Sequence, residues 1–348
     1  MSFKYLPKEK AQDFLSELLK TGIEINAPHK KGEKFYTFEK VTDPSEVVFD
    51  YVRTILPPKK YFLPQTESLV EYDLPVTKVE SKIDSKPRIL FGVHPCDLKG
   101  IFLLNKAFSD KNLDSNFVER SKQTIIIGID CVPDDNCFCT SVGTVIPKNE
   151  YFDIFLTDIG NGYLINIATE KGEELIKGIS FIRNATDGEI QLRDEFVDRK
   201  NNMCKNKMDV PLSELPLIFS GVYNSHVWEE NGEKCVACGR CNLVCPTCYC
   251  FDVIDKMNLK LNEGQRIRQW DSCHLEDFTK VATGEVFREK KSSRDRHRFY
   301  RKFYYLSKFS PSFCVGCGRC GLECLADIEI VETVNRLSKE YNGTSSKV

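Results

Sequence analysis

The chain has 348 residues, which at roughly 150 residues per domain points to about two domains. With 41% hydrophobic and 29% charged residues it is not a disordered chain, and 49 Lys and Arg against 51 Asp and Glu leave a net charge of −2, which excludes a global basic field for nucleic acid or an anionic membrane. The outlying number is 16 Cys against 5 His and 4 Met; it comes with no apolar signal core in MSFKYLPKEKAQDF and no run near the ~18 residues of a membrane helix. A reducing, cytoplasmic setting is therefore expected, in which cysteines act as metal ligands or redox thiols rather than as a disulfide framework.

In chain order, residues 8–20 place Ala11, Phe14, Leu15, Leu18 and Leu19 at helical spacing and predict an amphipathic helix. Residues 34–38 alternate as a strand does, and the three prolines of RTILPPKKYFLP (53–64) demand extended or turned chain. RILFGV (Arg88–Val93) and TIIIGI (Thr124–Ile129) are short, apolar and β-branched, like strands of a sheet covered on both faces. Residues 98–107 between them read as a helix, so a βαβ unit is expected. Strands at 153–158 and 163–168 flank an Asn-Gly turn, while 171–177 and 190–208 read as helices. From about residue 212 strand signals thin and cysteines dominate. The closing NGTSSKV is expected to fray.

Two stretches share one pattern. CVACGRCNLVCP (235–246) and CVGCGRCGLECL (314–325) are both C-x2-C-x2-C-x3-C. In this spacing the first three thiolates wrap one [4Fe–4S] cube and the fourth, one helical turn on, ligates the other cube. Cys235, Cys238, Cys241 and Cys324 are thus expected on one cluster, and Cys314, Cys317, Cys320 and Cys245 on the second. Glycines between the ligands let the backbone curl and aim N–H groups at sulfur. Zinc sites, usually separated pairs of ligands, fit such triplets poorly. Pro246 follows the first fourth cysteine but Leu325 follows the second. The 68 residues between Cys245 and Cys314 suit a helical ferredoxin with an insert. The expected fold is α+β: a mixed α/β domain with a Cys-rich site over 1–215, then a mainly helical dicluster ferredoxin-like domain over 216–348.

The insert carries Cys248 and Cys250 in PTCYC and Cys273 in WDSCH. These are either buried thiols packed as small apolar groups or ligands, for which His274 could complete a tetrahedral site. In the N-terminal half, Cys96 follows the first apolar strand, and Cys131, Cys137 and Cys139 follow the second. Parallel strands would deliver both loops to one carboxyl edge, where α/β sheets build their sites. Four thiolates would converge there and suit a third [4Fe–4S] cluster, with His94 and Asp97 beside it; the competing expectation is a pair of loops with buried or redox thiols. Residues 288–308 hold nine Lys or Arg against two acidic residues, interleaved with aromatics. Packing against anionic thiolate clusters or an acidic partner is expected over nucleic-acid binding, with a solvated basic face as the default. No phosphate-binding glycine motif follows a strand, so neither a nucleotide nor a flavin site is expected.

RTILPPKKYFLP, FGVHPCDLKG, GIDCVPDDNCFC, CVACGRCNLVCPTCYC, WDSCH and CVGCGRCGLEC occur in one order. Together, over about residues 3–335, they resemble the beta (iron–sulfur) subunit of soluble multi-subunit nickel–iron hydrogenases, or sulfhydrogenases, an architecture shared with the corresponding iron–sulfur subunit of anaerobic sulfite reductases. The resemblance implies an electron-transfer subunit, not catalytic by itself, between a flavin subunit that handles NAD(P)H and a hydrogenase or sulfite reductase catalytic subunit. The alternative outside that class is a stand-alone disulfide or polysulfide reductase using Cys248, Cys250 or Cys273.

Overall fold

The computed structural model describes residues 3–33 and 35–345. Lys34, where one expected strand begins, and the last three residues of the tail lie outside the described residues. In the N-terminal half the strands are β1 (Phe3–Pro7), β2 (Glu24–Lys30), β3 (Tyr36–Lys40), β4 (Thr66–Asp73), β5 (Lys78–Ser81), β6 (Arg88–Val93), β7 (Thr124–Ile129), β8 (Ile154–Asp158), β9 (Gly162–Ile167) and β10 (Arg183–Asn184). Eight of them form one sheet in the order β10-β1-β9-β8-β7-β6-β2-β3. β2, β6, β7 and β8 run parallel at its centre, and the remaining pairs are antiparallel.

The period of two along the central strands sorts side chains between two cores. Ile89, Phe91, Ile127 and Ile129 enter one, under Phe14, Leu15 and Leu18 of α1 (Ala11–Leu19). Leu90 and Phe155 enter the other, against Leu98, Ile101 and Leu104 of α2 (Pro95–Phe108) and Phe117 of α3 (Ser115–Gln123). A register shift between Phe91 and Val93 bends the end of β6, as bulges beside functional sites do. α4 (Glu170–Ile176) and α5 (Asp187–Met203) close this half. α5 ends five residues before the helix expected from periodicity, and Cys204 follows it with extended backbone.

The C-terminal part contains α6 (Leu215–Gly221), α7 (His226–Lys234), α8 (Arg240–Leu243), α9 (Lys291–Phe303), α10 (Arg319–Leu322) and α11 (Ile330–Ser345). Trp228, Phe219, Phe299, Tyr300, Phe303 and Val334 form its core. The insert adds what hydrophobic patterning did not indicate: a hairpin of β11 (Phe251–Met257) and β12 (Glu263–Trp270), joined to β4 and β5 in a second sheet ordered β11-β12-β4-β5. Buried charge pins this junction. Arg268 on β12 and Arg120 on α3 both bond Glu67 of β4, at 2.6 Å and 2.7 Å. Among the described residues, no helix is long and apolar enough to cross a membrane.

Candidate metal centres

Each C-x2-C-x2-C motif runs as a loop into one helical turn. Positive φ at Ala237 (55°) and Gly316 (68°) curls the loop around its sulfurs, and the Ala237 N–H donates to Cys235 Sγ at 3.3 Å. Cys235, Cys238 and Cys241 line a cavity of about 300 Å³ together with Cys324 from the opposite motif. Cys314, Cys317 and Cys320 line a second cavity of about 300 Å³ together with Cys245. The structure thus brings together the two sets of four expected from spacing, with the fourth cysteines crossed. Burial raises the Cys241 and Cys314 thiols well above the usual range and Cys317 to about 11. For Cys245, burial opposes ionisation, but Lys302 and Lys59 outweigh it and hold its pKa below that of an ordinary thiol.

The parallel pairing of β6 and β7 delivers Cys96 and Cys131 to the same sheet edge. Cys96 lies in the first turn of α2, and the loop after β7 carries Cys137 and Cys139. Each of these cysteine stretches brings a carboxylate, and each carboxylate meets a buried cation. Asp97 takes a bidentate bond from Arg319 at 2.7 Å and 2.8 Å, Asp130 pairs with Lys200, and Asp134 pairs with Arg53. Arg53 Nη2 also reaches Cys137 Sγ at 3.2 Å. Burial raises Cys131 to about 12 and Cys137 to about 11. A fifth thiol joins them: Cys204 Sγ lies 3.2 Å from Cys139 Sγ. Sequence spacing gives Cys204 no partner, since 65 residues separate it from Cys139 and no motif links them. The hydrogen bond between the two draws the Cys204 pKa down and pushes that of Cys139 up.

This thiol-rich loop sits directly on the second ferredoxin motif. Phe138 N–H donates to the Gly316 carbonyl at 2.9 Å. A Cβ on Gly316 would stand 2.7 Å from Cys139 Cα, so this position needs glycine for space as well as for its φ. Its counterpart in the first motif is Ala237, which carries a side chain at a similar positive φ. Likewise α2 approaches Pro246 at Gly100, where a Cβ would meet Pro246 Cβ at 2.7 Å.

A third cavity, of about 320 Å³, is lined by Cys248, Cys250 and Cys273. His274 does not complete that group; its ring faces Cys235, with Nδ1 3.9 Å from Sγ, and belongs to the first ferredoxin cavity. Among the described residues no three His, Cys, Asp or Glu side chains converge on a point that could hold a single metal ion. The thiols surround cavities instead, which is the arrangement a cube requires and a lone zinc does not. A groove on the small sheet, about 1140 Å³, is open, lined largely by charged and polar residues such as Glu71, Asp73, Lys78 and Glu263, and carries no cysteine.

Buried cations stand between the thiol groups. For Arg298, Arg319 and Lys302, burial works against the charge, but neighbouring anions outweigh it and hold each pKa up. Those neighbours are Cys241 and Cys320 for Arg298, Asp97, Cys317 and Cys96 for Arg319, and Cys245 and Cys248 for Lys302. The basic stretch 288–308 is therefore not simply a solvated face: α9 buries Arg294, Arg298 and Lys302, the last two against the cysteines.

Residues 234–328 match the 4Fe-4S dicluster domain family. Sulfhydrogenase 2 subunit beta of Pyrococcus furiosus is 34% identical over 339 residues, covering 97% of this chain and 98% of the relative.

Proposed function

The chain belongs to the family of sulfhydrogenase beta subunits, and on that premise we propose that it relays electrons within a hydrogenase assembly, between a flavin subunit that handles NAD(P)H and a nickel–iron catalytic subunit. The dicluster domain indicates [4Fe–4S] clusters, which supply one-electron carriers when bound. In this proposal Cys235, Cys238, Cys241 and Cys324 hold one cluster, and Cys314, Cys317, Cys320 and Cys245 the other. Cys96, Cys131, Cys137 and Cys139 hold a third, inside the 1–215 domain.

The observation that carries the proposal is the continuity of the thiol groups. Cys241 and Cys320 are both charged neighbours of Arg298, and Cys317 and Cys96 of Arg319, so adjacent thiol groups share a buried cation. The protein's own work is electrostatic. Buried cations offset the negative charge that each thiolate set accumulates on reduction, and the packed aromatics around Trp228 keep water out of the relay. At the outer end Cys238 is exposed, with exposed Val236 and Leu325 beside it, which suits transient contact with a partner protein.

Anaerobic reconstitution tests this reading. About eight irons per chain are expected from the ferredoxin motifs and about twelve with the N-terminal cluster. Changing Cys137 and Cys139 to Ala should remove about four irons while leaving the ferredoxin EPR signals intact. Fewer than about eight irons in the fully reconstituted chain, or NADPH oxidation with a dye acceptor by this chain alone, would overturn it.

A further inference from the structure

Cys248, Cys250 and Cys273 are the cysteines that neither the ferredoxin motifs nor the N-terminal thiol group takes up. The segments that carry them are distant in sequence and are brought together by β11 and β12, which pair Phe251 with Trp270 at the start of the hairpin. The Cys250 thiol is then an interacting neighbour of both others, and all three line one cavity. Thiols buried merely as small apolar groups need neither a cavity nor cations around them. Here there are both. The cavity is comparable in size to the two that face the ferredoxin motifs.

Cations stand around it. Arg298, Arg301 and Lys302 line the cavity, and Lys59 donates to the Cys248 carbonyl at 2.7 Å. Arg298 and Lys302 are only 4% and 7% exposed and also line the second ferredoxin cavity, and Lys302 donates to Thr247 Oγ1 at 2.7 Å. Buried cations are stabilised by anionic sulfur, and this wall, shared between the two cavities and extended here by Arg301, offers that to thiolates on either side. Asn242 Nδ2 already donates to Cys273 Sγ at 3.0 Å, the kind of contact that stabilises a ligating sulfur. The other lining residues include no histidine, carboxylate or fourth cysteine.

We propose that Cys248, Cys250 and Cys273 hold a further [4Fe–4S] cluster with three protein ligands, whose remaining iron faces Arg301 and Lys302 and takes a small anion. Rotation about χ1 exchanges the present thiol–thiol contacts for ligation. Lys302 lies between Cys245 and Cys248, so this cluster adjoins the one assigned to the second ferredoxin motif and branches from the relay. The inference rests on the chain being an iron–sulfur protein, and its test separates the two.

The full chain is reconstituted anaerobically as wild type, as Cys248→Ser/Cys273→Ser, and as Cys320→Ala. The double variant should lose about four irons and four sulfides with the ferredoxin EPR signals unchanged, and Cys320→Ala should lose a different set. Cyanide, the probe for an open iron, should shift one reduced-state signal of the wild type and none of the double variant. Unchanged iron in the double variant overturns this cluster alone, and a wild type that takes up no iron or sulfide overturns the iron–sulfur reading itself. A single zinc per chain that vanishes in the double variant also overturns the cluster. If the double variant precipitates, the wild type decides, since a reduced chain with no cyanide-sensitive signal overturns the proposal.

Discussion

Arg298 is buried, and thiols of both ferredoxin motifs face its guanidinium. A unit charge roughly 8 Å from a cluster, at an effective dielectric of about 20, is worth about 2 kcal/mol, on the order of 90 mV for one electron. The cation favours the more negative, reduced state. Arg298→Met should therefore lower the potentials of the ferredoxin clusters by tens of mV, and Arg298→Lys should restore most of the shift. An EPR-monitored redox titration checks this, and equal potentials in wild type and Arg298→Met would show that the charge is not acting on the clusters. Gly316 makes a steric claim at the same scale. Alanine there adds a Cβ 2.7 Å from Cys139 Cα at a φ of +68°, combining about 1–3 kcal/mol of overpacking with about 1–2 kcal/mol of left-handed strain. Gly316→Ala should lower the apparent Tm of the holoprotein by several degrees, whereas Ala237→Gly, at the matching position of the other motif, should leave it nearly unchanged. Parallel thermal melts followed by cluster absorbance distinguish the two.

Helix α9 shows how one element serves both core and chemistry. Phe299, Tyr300 and Phe303 enter the helical core, while Arg298 and Lys302 turn toward the thiols. His297 lies between these faces, beside Tyr305 and facing Arg288 and Arg301. Burial, and then the two arginines, push its pKa from 6.5 down to about 4. A folded-state pKa below the unfolded value means that stability is complete above about pH 6.5 and declines as pH falls toward 4. His297→Gln should remove that slope, so urea midpoints of variant and wild type should converge or cross between pH 7 and pH 5; parallel midpoints would contradict the assignment. That the basic run packs on anionic thiolates was one of the readings its nine cations and interleaved aromatics allowed beside 16 cysteines, with an acidic partner and a solvated face as the others; that it forms a helix was not read from the sequence. The βαβ unit around Cys96 was legible, since RILFGV and TIIIGI are covered on both faces and read as unbroken apolar runs. The hairpin of β11 and β12 was not. β11 is exposed along nearly its whole length, so it carries no alternation, and what holds the pair to β4 is charge, Arg268 on Glu67, rather than an apolar stripe. The place of Cys204 was illegible for a related reason: only the packing of the chain beyond α5 brings it to Cys139, and spacing cannot report that.

At the scale of the whole molecule the thiol groups have an order. The set of Cys314, Cys317, Cys320 and Cys245 is central, with Cys241 beyond Arg298, Cys96 beyond Arg319 and Cys248 beyond Lys302. The ion pair of Arg319 and Asp97 is the clamp at the junction between the sheet and the second ferredoxin motif. Both side chains are fully buried, and Arg319 Nε also donates to the Thr54 carbonyl at 2.8 Å. Removing one partner strands the other charge in the interior, at a cost of about 3–5 kcal/mol, whereas replacing both with apolar groups of similar volume is often close to neutral. Arg319→Leu or Asp97→Leu alone should therefore destabilise the chain strongly, and the double variant should be more stable than either single one, with a coupling of at least ~1 kcal/mol in the cycle. Arg319→Gln, which can still donate to Asp97 but carries no charge, should keep its iron yet differ in redox behaviour, because the cation that neighbours both Cys317 and Cys96 is gone. The clusters proposed at the N-terminal and central thiol sets, both anionic, would then repel across a junction that has lost its cation, and reduction of one should lower the potential of the other by more than in the wild type. Stepwise EPR titration of Arg319→Gln measures that spacing of potentials. An unaltered spacing would mean that Arg319 is a structural clamp only, and that electrons crossing between the two halves owe nothing to its charge.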